Sequence, residues 1–159
     1  MILAVECVVF CLLMGTMCFL GVGNDEKNIK SFRSYPDELQ ELLQKDENYK
    51  NKIKTVSPVA SFVSNFLMFL VIVFIFGIFI RTKDFLHNFV ALLILGQVMN
   101  VFDLLLDLFW FRNTKRTRFS NYPDPKLYKN PKNHINSFIK ALFMFTLVAL
   151  VDAALLILF

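Results

Sequence analysis

Gln97, Asn100, Asp103 and Asp107 stand together inside one largely apolar stretch. Their spacings of three, three and four residues put them on one stripe of a helix. Two carboxylates four apart, joined by an imidazole from a neighbouring element, form a donor set for a divalent metal. His134, three residues before Ser137, offers that imidazole, and Asp124 is a further acid in the same loop. The Asp-x3-Asp spacing also occurs in membrane enzymes that hold lipid-linked phosphates through Mg²⁺. Those enzymes carry further glycines, arginines or a second acidic motif, whereas this chain has no second Asp-x3-Asp and only 159 residues. Metal-assisted catalysis by Asp103, Asp107 and His134 therefore competes with structural pairing, with headgroup contact and with an ion or proton pathway along the stripe.

The elements that must position these groups are apolar blocks. The chain is 56% apolar or aromatic and 19% charged, against about 45–50% and 25% in a soluble domain. The apolar residues gather in spans of about 2–22, 59–80, 85–111 and 138–159, which contain only Glu6, Asp103, Asp107, Lys140 and Asp152 among the charged residues. A bilayer core about 30 Å thick needs about 20 apolar residues in a helix, and each block suffices. A disordered chain and a disulfide scaffold are excluded, and a soluble bundle would need unusually apolar helices. The expected fold is all-α: a polytopic membrane protein, a single membrane domain over 1–159, with four transmembrane helices and a short amphipathic cytoplasmic helix. No block holds a Gly-x3-Gly pair, so a tight glycine-mediated dimer is not signalled.

Four spans place segments 23–57 and 112–137 on one side. Segment 112–137 carries seven Lys or Arg against one acid, and 23–57 carries seven of each. The bias of Lys and Arg toward the cytoplasm makes both loops cytoplasmic and both termini external, in a multi-pass protein of the cell membrane. The alternative, that the first block is a cleaved signal peptide, meets an N-terminus lacking the positive stretch such peptides carry. At 1.5 Å per residue, Asp107 lies about 7 Å and Asp103 about 13 Å along the helix from Arg112. Both acids thus belong to the cytoplasmic half, where Asp107 could pair with Arg112 or Lys115. Glu6 and Asp152 lie toward the external side, where they either mark an outer polar site or reach the headgroups.

In the first loop, Ser34 as cap, Pro36 and the following acids signal a helix start. Leu39, Leu42, Leu43, Tyr49 and Ile53 then recur at roughly helical spacing. That stripe would lie on the membrane surface or on the second loop, unless the segment is a solvated linker. Arg112, Lys115, Arg116 and Arg118 open the second loop and would contact anionic headgroups. Tyr and Phe residues beside them could suggest stacking on nucleic acid, but a juxtamembrane basic run has a simpler explanation, and no nucleic-acid partner is expected. Cys7, Cys11 and Cys18 form no Cys-x-x-Cys pair and read as small packing residues.

From Asn100 to Lys140 the chain resembles an uncharacterised group of small four-span membrane proteins of Firmicutes. The resemblance lies in Asp103-x3-Asp107, Trp110, the basic run, Pro123-Asp124, Tyr128 and His134 before the last span. It groups Asp103, Asp107 and His134 as one set and implies no substrate, reaction or cofactor. Taken together, the residues predict a non-enzymatic membrane component or accessory subunit, with a membrane-protein partner or further copies of itself and a polar site at the cytoplasmic face. The alternatives are a metal-dependent enzyme acting on a lipid or lipid-linked phosphate, with a divalent metal as cofactor, and a small transporter or proton pathway.

Overall fold

A computed structural model describes residues 1–54 and 56–158; Thr55, within the first loop, and Phe159, the expected end of the fourth span, lie outside the described residues. The protein is all-α, 79% helical, with no strand among the described residues. In chain order the helices are α1 (Ile2–Leu20), α2 (Asp25–Asn28), α3 (Asp37–Lys45), α4 (Glu47–Lys50), α5 (Pro58–Ile80), α6 (Phe85–Leu106) and α7 (Lys132–Leu156). Among the described residues, four helical stretches are long and apolar enough to cross a membrane, and they coincide with the four blocks.

One boundary and one stretch of local geometry differ from the sequence reading. The last helix begins at Lys132, not Phe138, because Asn130 and Pro131 start it: Asn130 Oδ1 accepts from Lys132 N at 3.1 Å, and Pro131 O accepts from Ile135 N at 3.0 Å. Its first turns are polar, so hydropathy does not mark them. The third block is not one uniform α-helix. After Leu106 the backbone widens into a π turn over Asp107–Phe111, with Arg112 N donating to Asp107 O at 3.3 Å. Such turns insert a residue into the helical register and re-aim the side chains that follow.

The chain divides into two compact units. The helical unit comprises Met1–Leu13, Val56–Phe102 and the stretch from Phe138 onward. Here α7 buries Met144, Phe145, Val148, Ala149, Asp152, Ala153 and Leu156, a seam at helical spacing. Single glycines make room for facing side chains. A Cβ on Gly96 would lie 2.8 Å from Phe145 Cδ1, and one on Gly77 would lie 2.7 Å from Leu156 Cδ1. Phe145 also meets Phe69 of α5 edge-on, with centroids 4.9 Å apart. The turn between α5 and α6 is locked by buried Asn88, which accepts from Thr82 N at 2.8 Å and donates to Thr82 O at 2.9 Å.

The loop unit runs from Met14 through the first loop, and over Asp103–Ser137. Both long loops build its core, in which Ile29, Phe32, Tyr35, Leu39, Leu43 and Tyr49 pack with Phe119 and Tyr128. The expected cap at Ser34 gives way to Pro36. Proline holds the preceding residue extended, and Tyr35 (φ −74, ψ 155) obeys, so α3 starts only at Asp37. The single amphipathic helix is interrupted at Asp46, whose extended backbone ends α3 and whose side chain caps α4. Leu39 and Leu43 pack on the second loop's aromatic residues, so this segment is not a solvated linker, while Leu42 stays exposed.

Candidate functional site

The site is built within the loop unit. The π turn begins at Asp107, and the polar start of α7 carries His134. The two side chains meet directly, His134 Nδ1 to Asp107 Oδ2 at 2.6 Å. The histidine is buried, and its ring meets the Phe111 ring in a T-shaped contact, with centroids 5.4 Å apart. A carboxylate on Nδ1 fixes the orientation and tautomer of an imidazole. Asp103, one turn back, instead takes Cys18 of α1, whose Sγ lies 3.9 Å from Oδ1 as a weak thiol donor.

Of the three residues expected to form a metal set, the structure thus pairs two and gives the third a thiol. Among the described residues, no group of three or more His, Cys, Asp or Glu is arranged to hold a metal ion. Asp124 stays with its own turn, where its Oδ1 accepts from Lys126 N at 2.9 Å. Gln97 and Asn100 belong to the helical unit and link α6 to α7 there. Gln97 Nε2 donates to Leu142 O at 3.0 Å, and Asn100 Nδ2 donates to Phe138 O at 3.3 Å.

The basic run has specific internal roles. The Arg116 guanidinium stacks on Phe19, 4.1 Å from the ring centroid. It also donates to Phe19 O and Val22 O at 3.4 and 3.3 Å, while Lys27 Nζ donates to Leu20 O at 3.0 Å. Two cations thus close the carbonyl end of α1, where the helix dipole is negative. Gly23 turns the chain beneath them with φ +132, and a Cβ there would lie 3.1 Å from Arg116 Nη2. Trp110 tilts against the same Phe19, with centroids 5.9 Å apart. Arg112 donates to Lys129 O, and Arg118 to Asn113 O at 3.3 Å. Lys115 is exposed.

Asn28 and Tyr35, which the sequence did not single out, join the two loops, and Tyr49 of the apolar stripe adds a bond of its own. Asn28 is fully buried, accepts from Gly23 N at 3.2 Å, and donates to Arg116 O at 3.0 Å and Arg118 O at 3.2 Å. Tyr35 Oη donates to Thr117 O at 2.9 Å, and burial pushes its phenol well above the usual tyrosine range. Tyr49 Oη donates to Asp25 Oδ2 at 2.7 Å; burial, helped by that bond, raises its phenol to about 12. At the surface, Lys132 reaches Asp37 at 2.8 Å and Asn133 Nδ2 reaches it at 3.1 Å. These two hold the Asp37 carboxyl below the ordinary carboxylate range. Asp46 is likewise lowered, first by Asn121 and then by the backbone of Asn48. Nothing in an asparagine's local sequence signals such a role; only the fold brings its partners together.

No protein-family model, no curated protein and no solved structure matches this chain.

Proposed function

We propose that the protein is a four-span integral membrane protein acting as a non-enzymatic component or accessory subunit, with the loop unit as its cytoplasmic face. One observation carries the topology in this reading: segments separated by two long apolar helices fold on a single aromatic core. Both loops must then lie on the same side of any membrane the helices cross, and the excess of Lys and Arg in the second loop makes that side cytoplasmic, with both termini external. The likeness to the small four-span Firmicutes group belongs to the same reading. Lys115 and the outer faces of Arg112, Arg116 and Arg118 would meet anionic headgroups.

The polar side chains of the third apolar stretch favour a structural over a catalytic use. Gln97 and Asn100 each bond a backbone carbonyl of α7 within the helical unit, and Asp107 bonds His134 within the loop unit. The metal-dependent reading draws on the Asp107–His134 pair and lacks a third ligand among the described residues.

Native mass spectrometry of the full chain, extracted from its own membrane in mild detergent, tests the proposal. The expected result is a complex of fixed stoichiometry, with another membrane protein or with further copies. The chain alone overturns the accessory role. Metal retained by wild-type protein and lost from an Asp103→Asn, Asp107→Asn double variant would replace it with the enzyme reading. A reporter fused after the last residue that reads cytoplasmic overturns the topology.

A further inference from the structure

The helical unit contains an acid that its packing does not explain. Asp152 is 0% exposed, and neither carboxylate oxygen has a hydrogen-bond partner among the described residues. It occupies one position of the buried α7 seam; Val148, Ala149, Ala153 and Leu156 fill the positions around it and are themselves buried. The seam therefore has a carboxyl where its spacing calls for an apolar side chain. A carboxyl retained there to join helices would need a donor, as Gln97 and Asn100 have acceptors elsewhere in this unit.

The unit's bases do not supply that donor. Lys140 lies twelve residues down the same helix, about 18 Å along its axis. Arg81, Lys83 and His87 belong to the turn between α5 and α6 and the first residues of α6. None of them bonds Asp152, and neither does Glu6, whose own two oxygens are buried and unpartnered. An ionised carboxylate without partners is strongly disfavoured in such surroundings. The occupant must be small enough to enter a fully enclosed site and must cancel one negative charge.

We propose that Asp152 is a proton-binding site, carrying its proton in the folded helical unit at neutral pH. The ligand is the proton itself, which needs no coordination shell, whereas a metal cation would require several oxygen ligands. The inference rests on packing within this one unit and does not depend on the accessory role.

Isotope-edited infrared spectroscopy reads the protonation state directly. The full-length protein, with carboxyl-labelled aspartate and reconstituted in lipid at neutral pH, is compared with an Asp152→Asn variant. The expected difference is the carbonyl stretch of one protonated carboxyl, lost in the variant, with no accompanying carboxylate band. A carboxylate band in that difference overturns the proposal. A protonated band that disappears when sodium or another metal cation is added at constant pH overturns it too, by making the site a cation site. Because the variant could fold poorly, the Asp103→Asn, Asp107→Asn protein is a second sample. Asp152 is then the only aspartate left in the apolar blocks, and the protonated band must persist; its absence there is equally fatal.

Discussion

Asn28 offers the sharpest test of the loop unit. Its side chain makes three hydrogen bonds to backbone groups, one to Gly23 N and two to the carbonyls of Arg116 and Arg118. Each such bond contributes about 1 kcal/mol net, and more where its loss leaves a buried group unsatisfied. Asn28→Ala should therefore destabilise the loop unit by about 3 kcal/mol. Trp110 is the chain's sole tryptophan and sits within this unit, so its fluorescence reports unfolding without an added label. With a urea dependence of about 2 kcal/mol per molar, the midpoint should fall by about 1.5 M. Asn28→Asp should do no better at neutral pH: the carboxylate keeps the acceptor for Gly23 but turns an acceptor toward two carbonyls. Part of that loss should return on acidification, as the introduced carboxyl gains a proton to donate. An Asn28→Ala transition that superposes on wild type refutes the argument that this side chain joins the loops.

Other substitutions probe independent features. Gly96→Leu should destabilise the helical unit, since even a Cβ there crowds Phe145, and adding Phe145→Ala should recover part of the loss in a thermal melt. Arg116→Lys should lose about 1 kcal/mol of loop-unit stability through weaker stacking on Phe19 and a lost carbonyl bond, and Arg116→Ala more, by the same fluorescence assay. The lowered Asp37 carboxyl adds stability above its unfolded value of 3.8, and this is lost as pH falls through its lower folded value. Acid titration of Asp37→Asn should accordingly show a shallower loss of stability below that pH than wild type. Tyr49, raised to about 12 in the folded chain, contributes stability that is complete below the unfolded value of 10.0 and is lost as pH rises through about 12. Tyr49→Phe should flatten that alkaline limb of the stability curve.

The apolar blocks were legible because a membrane-length helix leaves a composition signal that no neighbour can erase. The start of α7 was hidden for the same reason: Lys132, Asn133 and His134 are helical but polar. The π turn at Asp107 has no composition signature, yet it is the local backbone from which the His134 partner projects. The spacing of Asp103 and Asp107 suggested a shared ligand, but Asp103 lies beside Cys18, a residue that reads as mere packing from its own surroundings. The aromatic residues of the second loop, Phe119, Tyr122 and Tyr128, carry no periodicity. Their purpose is visible only when Tyr35, Leu39 and Leu43 are brought alongside from about eighty residues away. The charge of Arg116 suggested headgroups; the carbonyls it bonds, those of Phe19 and Val22, lie in a segment that charge counting does not connect to it.

The shared aromatic core also sets a timetable for biogenesis. Tyr35 leaves the ribosome 84 residues before Phe119 and 93 before Tyr128. At about 5–20 residues per second, the first half of that core waits roughly 4–19 s for the second. Throughout that interval Tyr35, Leu39 and Leu43 lack the surfaces that cover them in the finished protein, while α5 and α6 are being made. A nascent chain halted after α6 would leave those side chains uncovered, so the folding of the first loop waits on the synthesis of the second.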